Sequence, residues 1–109
     1  MMAARRLFNL CAAAAGALLP AGFAAPAAAA TRLVTIDAMK YPPVPPLRVG
    51  DVVIFVNKDI FRHTVTASND RFNLDLMPGR RGGLRINSAG KASFYCKYHP
   101  GMRGTMIAR

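Results

Sequence analysis

The chain contains two histidines, His63 and His99, and the second lies in a compact run of potential metal donors. That run is Cys96-Lys97-Tyr98-His99-Pro100-Gly101-Met102. Cysteine, histidine and methionine recur in it at intervals of three, between two segments rich in strand-forming residues. A tight loop of this kind lets three side chains turn toward one point. His63 stands far upstream, so only tertiary folding can bring it to the same place. The assembled set, two imidazoles, a thiolate and a thioether, matches a blue-copper centre. The sulfur donors suit Cu(I) and the imidazoles also suit Cu(II), so such a site can hold both oxidation states.

Each of these residues has a plainer reading on its own. Cys96 can be a small buried hydrophobe, His99 a surface histidine and Met102 packing. Met39, Met77 and Met106 read as packing. It is the spacing, in a loop between strands, that turns three ordinary residues into a chelating bracket. Zinc competes for cysteine and histidine, but a structural zinc site favours a second Cys or His where Met102 stands. Haem attachment is excluded because no Cys-x-x-Cys-His occurs. A Cys–His nucleophile is poorly served by a loop that also carries the methionine. Four protein donors leave no open position for a substrate, whereas catalytic metal sites keep one. The residues therefore point away from an enzyme.

The elements that must position these donors are short strands. The chain has 109 residues with 52% hydrophobic content, but the excess is concentrated at the start. Residues 1–30 hold 14 alanines, with Arg5 and Arg6 ahead of the uncharged stretch Leu7 to Leu19. Pro20, Gly22 and Pro26 follow, then Ala28-Ala29-Ala30. This pattern is that of an export signal cleaved before Thr31; a retained anchor is the alternative. A domain over 31–109 then remains, with 13 basic residues against five aspartates, a formal charge of +8. Cys96 is its one cysteine, which excludes a disulfide framework. So small a domain has a thin core and gains from a metal staple.

Within 31–109, strands are expected at Leu33–Met39, Val52–Asn57, His63–Ala67, Phe72–Leu76, Leu84–Ile86, Ala92–Cys96 and Thr105–Ala108, with turn residues between them. The first should place Val34, Ile36 and Ala38 on one face. Tyr41 to Leu47 holds four prolines and reads as an extended connection or an edge. Met77 to Gly83 reads as a loop. The spacing is that of a small all-β sandwich or barrel.

Taken together, Val49 to Asp59, His63-Thr64-Val65, Gly90, Phe94-Tyr95-Cys96, His99-Pro100-Gly101-Met102 and Gly104 resemble the cupredoxins. The resemblance covers essentially all of 31–109. It is greatest to the plastocyanin and amicyanin branch, and the short Cys-x-x-His-x-x-Met spacing is the amicyanin-like one. It implies a Greek-key β-sandwich with one type 1 copper at one end. His63, Cys96 and His99 would be the equatorial ligands and Met102 the weak axial one. It implies a monomeric periplasmic electron carrier, exchanging electrons with protein redox partners through an apolar patch around His99. Met77, Pro78, Pro100 and Phe61 are candidates for that patch, although Phe61 could equally belong to the core. Arg62, Arg80, Arg81, Arg85 and Arg103 are candidates for a basic rim that would favour an acidic docking surface. Export argues against nucleic acid as a partner, and no stable membrane insertion is expected once the signal is removed. A copper-binding or delivery protein without an electron-carrier role is the alternative. Two departures stand out. Thr64 occupies a position that is commonly Asn, and the stretch between His63 and Cys96 is short.

Overall fold

The computed structural model describes Gly22 and residues 28–109. The expected export signal therefore lies almost wholly outside the described residues. Seven strands and no helix occupy the described part: β1 (Thr31–Ile36), β2 (Val52–Asn57), β3 (His63–Ala67), β4 (Asn73–Leu76), β5 (Arg81–Arg85), β6 (Gly90–Tyr95) and β7 (Arg103–Ala108). They form two sheets, ordered β1-β2-β5 and β4-β3-β6-β7. Pairing of β3 with β6, across the intervening β4 and β5, gives the Greek-key crossing of an all-β sandwich.

The proline-rich connection explains why β1 and β2 can run parallel. A parallel pair cannot be joined by a tight turn. Here the chain leaves β1, crosses to the edge of the other sheet and pairs Leu47 with Ala108 of β7. The Leu47 N–H donates to the Ile107 carbonyl at 3.0 Å, and Arg109 N–H donates back to Leu47 at 3.0 Å. Prolines 42, 43, 45 and 46 forfeit no ladder bonds in this extended passage.

Alternation along the strands builds the core. Val34, Ile36, Val53 and Phe55 from one sheet meet Val65, Phe94 and Met106 from the other, all buried. Phe55 and Phe94 touch edge to face with ring centres 5.7 Å apart, a favoured aromatic geometry.

Several strand limits depart from the sequence reading, and two of the departures have a clear physical cause. The first strand ends at Ile36, because Ala38 and Met39 take positive φ values of 50° and 61° in a turn. Ala38 is consequently exposed and does not extend the Val34–Ile36 face. The segment read as a loop also yields most of β5, since Arg81, Gly82 and Gly83 pair with Val56, Phe55 and Ile54. Glycine normally weakens a strand, but at Gly82 the facing leucines sit close. A Cβ there would lie 3.1 Å from Leu74 and 3.3 Å from Leu76. The glycine lets β5 pass beneath two leucines of the facing sheet.

Candidate metal centre

Three of the four candidate ligands converge at one end of the sandwich. His63 is the first residue of β3, fixed opposite Leu76 of β4 and fully buried. Cys96 follows β6 directly and is also buried. His99, half-buried, sits on the loop between β6 and β7. The Cys96 Sγ lies 3.8 Å from His63 Nδ1 and 3.5 Å from His99 Nδ1. All three ligand atoms fall within 4.8 Å of one another. Met102 closes the loop: its N–H donates to the His99 carbonyl, and its own carbonyl accepts from Cys96 N–H, both at 3.1 Å. Its side chain is buried in the core cluster that also holds Cys96.

These separations suit a bound transition metal. Bonds of about 2.0–2.1 Å to nitrogen and about 2.3 Å to thiolate span N···S distances of about 3.5–3.9 Å at angles of roughly 105–125°. The protein holds the donors at that spacing.

The surrounding hydrogen bonds set the chemistry of each donor. Asp59 Oδ2 stands 2.8 Å from His63 Nε2. The carboxylate accepts, so Nε2 carries the proton and Nδ1 faces Cys96 as a free lone pair. Asp59 also accepts from the Met39 and Ile60 N–H groups, both at 2.8 Å. The His63 bond, then that of Met39, holds its carboxyl below the usual carboxylate range. Asn57, fully buried, locks this turn: its Nδ2 donates to Phe61 and Leu76 carbonyls, and its Oδ1 accepts from Asp59 N–H.

Thr64 resolves the first departure noted in the sequence. Its backbone N–H points at Cys96 Sγ at 3.4 Å, a hydrogen bond that stabilises sulfur in its anionic form. Its hydroxyl accepts from the Lys97 N–H at 2.9 Å and so ties down the residue after the cysteine. A buried relay continues outward. Thr64 Oγ1 donates to Thr66 Oγ1 at 2.8 Å, and Thr66 donates to Asn73 Oδ1 at 2.6 Å. The Thr64 carbonyl accepts from the Tyr41 hydroxyl. Burial pushes the Tyr41 phenol well above its ordinary value, so it remains a neutral donor.

The loop is gripped from outside as well. Arg62 pairs with Asp75 in a fork, Nε at 2.8 Å and a terminal nitrogen at 2.6 Å. Tyr98 donates to the same carboxylate at 3.2 Å, and the Arg62 guanidinium lies 4.8 Å from its ring centre. Arg62 is thus engaged rather than a free docking cation. Arg85 departs further from the proposed rim, because it pairs with Val52 at the far end of β2, remote from His63. Phe61 is surface, not core: it is 48% exposed, with its ring edge-on to His99 at 6.0 Å.

Asp59, Asn57, Thr66 and Tyr41 are the supports that the sequence did not single out. Asp59 had one visible cue, a carboxylate four residues before His63 in a turn. Tyr41 had none, since its reach to Thr64 exists only after the proline segment crosses the sandwich.

A fully stranded two-sheet sandwich with a His–Cys–His cluster at one end defines a cupredoxin. The comparisons with known proteins are more specific. The chain is 31% identical over 82 residues to amicyanin of Paracoccus versutus, a match covering 69% of this chain and 62% of that protein. The crystal structure of amicyanin from the same organism superposes with a TM-score of 0.62 at 28% identity, covering 78% of this chain and 85% of the other. A reduced Cu(I) form of an amicyanin variant at pH 4 gives 0.61 at 27% identity, covering 85% and 88%. No protein-family model matches. The chain is an amicyanin-like cupredoxin, spanning 62% of the length of the curated relative it matches.

Proposed function

We propose that this protein is a type 1 copper electron carrier, with one copper ion held by His63, Cys96 and His99 and a weaker contact from Met102. The observation that carries this reading is the convergence of two imidazole nitrogens and one sulfur, with the Thr64 N–H aimed at the sulfur. Copper in such a site supplies a one-electron couple between Cu(I) and Cu(II). The protein's part is to keep the donors in place through both states. Asp59 fixes the His63 ring, Thr64 fixes Cys96 and Lys97, and Tyr98 fixes the loop between Cys96 and His99.

Electrons enter and leave beside His99. Ile60, Phe61 and Met77 are 80%, 48% and 53% exposed at the same end of the fold. Such a patch suits brief contact with a protein partner. Lys58, Arg80, Lys97 and Arg103 are exposed around the end that carries it, which favours an acidic partner and salt-sensitive association. We place the chain in the periplasm as a monomer after removal of residues 1–30. Among the described residues no helix is long and apolar enough to cross a membrane. A delivery role fits less well, because exchange needs accessible ligands and both His63 and Cys96 are buried.

The test is a visible spectrum of the protein loaded with Cu(II), beside Cys96→Ala. An intense blue thiolate-to-copper band, bleached by reductant and absent from the variant, is expected. A colourless protein that retains zinc or no metal refutes the reading.

A further inference from the structure

The sandwich is closed at the metal end and open at the other. A groove of about 530 Å³, open to solvent along one side, lies over the core where β5 ends and β6 begins. Leu47 and Met106 form its floor, and Phe72, Leu84, Ile86 and Ala92 its walls. Those four wall residues are only partly buried, so apolar surface that would complete the core is left facing the opening. The opening is bordered by Arg71, Arg85 and Lys91. All three are exposed, none is in an ion pair among the described residues, and no carboxylate lines the cavity. Its size falls in the range of about 300–1,000 Å³ typical of small-ligand pockets.

We propose that this opening binds a medium-chain fatty carboxylate. The aliphatic chain would enter between Phe72, Leu84 and Ile86 and cover their exposed apolar surface. The carboxylate would remain at the mouth among Arg71, Arg85 and Lys91. Phe72, Leu84, Ile86 and Ala92, set among the polar residues Asn69, Asn87 and Ser88, would hold the chain, and a rim of one charge would hold an anionic head. A head group alone lacks the apolar contact, and a neutral amphiphile lacks the charge.

The experiment is a titration of the purified, metal-free protein with decanoate below its micelle concentration, followed by amide NMR. Its readout is independent of copper. One-to-one saturable shifts in residues 69–72 and 84–92 are expected, with the ligand loop 96–102 unmoved. The triple variant Arg71→Gln, Arg85→Gln, Lys91→Gln should weaken binding by about tenfold or more. Ala89→Trp, which obstructs the mouth from a turn, should abolish it. Acetate and octyl glucoside should not saturate at the same concentrations. Equal shifts with acetate would reduce the effect to diffuse charge, and equal affinity for octyl glucoside would reduce it to unspecific apolar contact. Either result overturns the proposal, as does an absence of shifts with decanoate.

Discussion

Replacing Thr64 by valine separates two jobs that the residue does at once. Its backbone N–H bonds Cys96 Sγ at 3.4 Å, and its hydroxyl accepts the Lys97 N–H at 2.9 Å while donating to Thr66. Valine keeps the β-branched shape and the backbone bond. It removes only the hydroxyl, so the Lys97 N–H loses its partner in a half-buried setting. Leaving such a donor unpaired costs about 1–3 kcal/mol. The bond to Thr66 goes as well, but Thr66 still donates to Asn73, so the Lys97 N–H is the one donor left unpaired. For a domain of this size that corresponds to a fall in Tm of roughly 4–20 °C.

Thermal unfolding of the metal-free protein reads this directly, and the visible spectrum of the copper form reads the other job. The expected outcome is a lower Tm with the blue band retained, and recovery of most of the loss in Thr64→Ser. Two results refute the reasoning. A Tm unchanged within about 1 °C means that the hydroxyl does not support the loop. Loss of the blue band means that the side chain, not the backbone N–H, positions the sulfur.

Removing the carboxylate in Asp59→Ala frees the His63 ring and orphans the Met39 and Ile60 N–H groups. Copper affinity should fall about 10–100-fold, as measured by competition with a chelator. Tyr98→Phe deletes the bond to Asp75, and faster amide exchange is expected at residues 97–100 with the fold intact. The Arg62–Asp75 pair is exposed, so its support of the loop should weaken with added salt. In the chain that retains Ala30, Asp51 accepts from the Ala30 and Arg48 N–H groups at 2.9 Å each, and these bonds hold its carboxyl below the ordinary value. Its folded pKa is depressed, so its contribution is complete above the unfolded value and disappears as pH falls through the folded one. The Tm difference between that chain and its Asp51→Asn variant, measured without metal, should begin to narrow below about pH 4.

Three residues of the candidate cluster stood out because they are local. Cys96, His99 and Met102 share one loop, and their spacing survives whatever the rest of the chain does. The strands around them were legible for a similar reason: β2 and β3 follow the apolar run Val52–Asn57 and the segment His63–Ala67 residue for residue. Legibility failed wherever a long-range contact decides the outcome. Arg81 to Gly83 looks like a loop because glycine and arginine favour no strand. It becomes a strand because β2 offers a ladder, and Leu74 and Leu76 crowd the space over Gly82. Two members of the basic rim were misread similarly, since composition cannot say that Arg62 is held by Asp75 or that Arg85 lies at the opposite end.

The two ends of the molecule follow different packing logic. At the metal end every described buried side-chain polar atom has a partner, and the donors are held from both sides. His63 is backed by Asp59, Cys96 faces Thr64, and Tyr98 reaches Asp75 across the loop. Each contact restricts a donor to one position, which is what rapid one-electron exchange requires, because a ligand that moves between oxidation states adds to the barrier. At the opposite end Phe72, Leu84, Ile86 and Ala92 pack against the core but stay partly exposed. Filling the open end, as with a larger side chain at Ala89, should leave the spectrum of the copper site unchanged. A shifted blue band in Ala89→Trp would show instead that the core transmits strain from one end to the other, and that the rigidity of the site depends on more than the contacts around it.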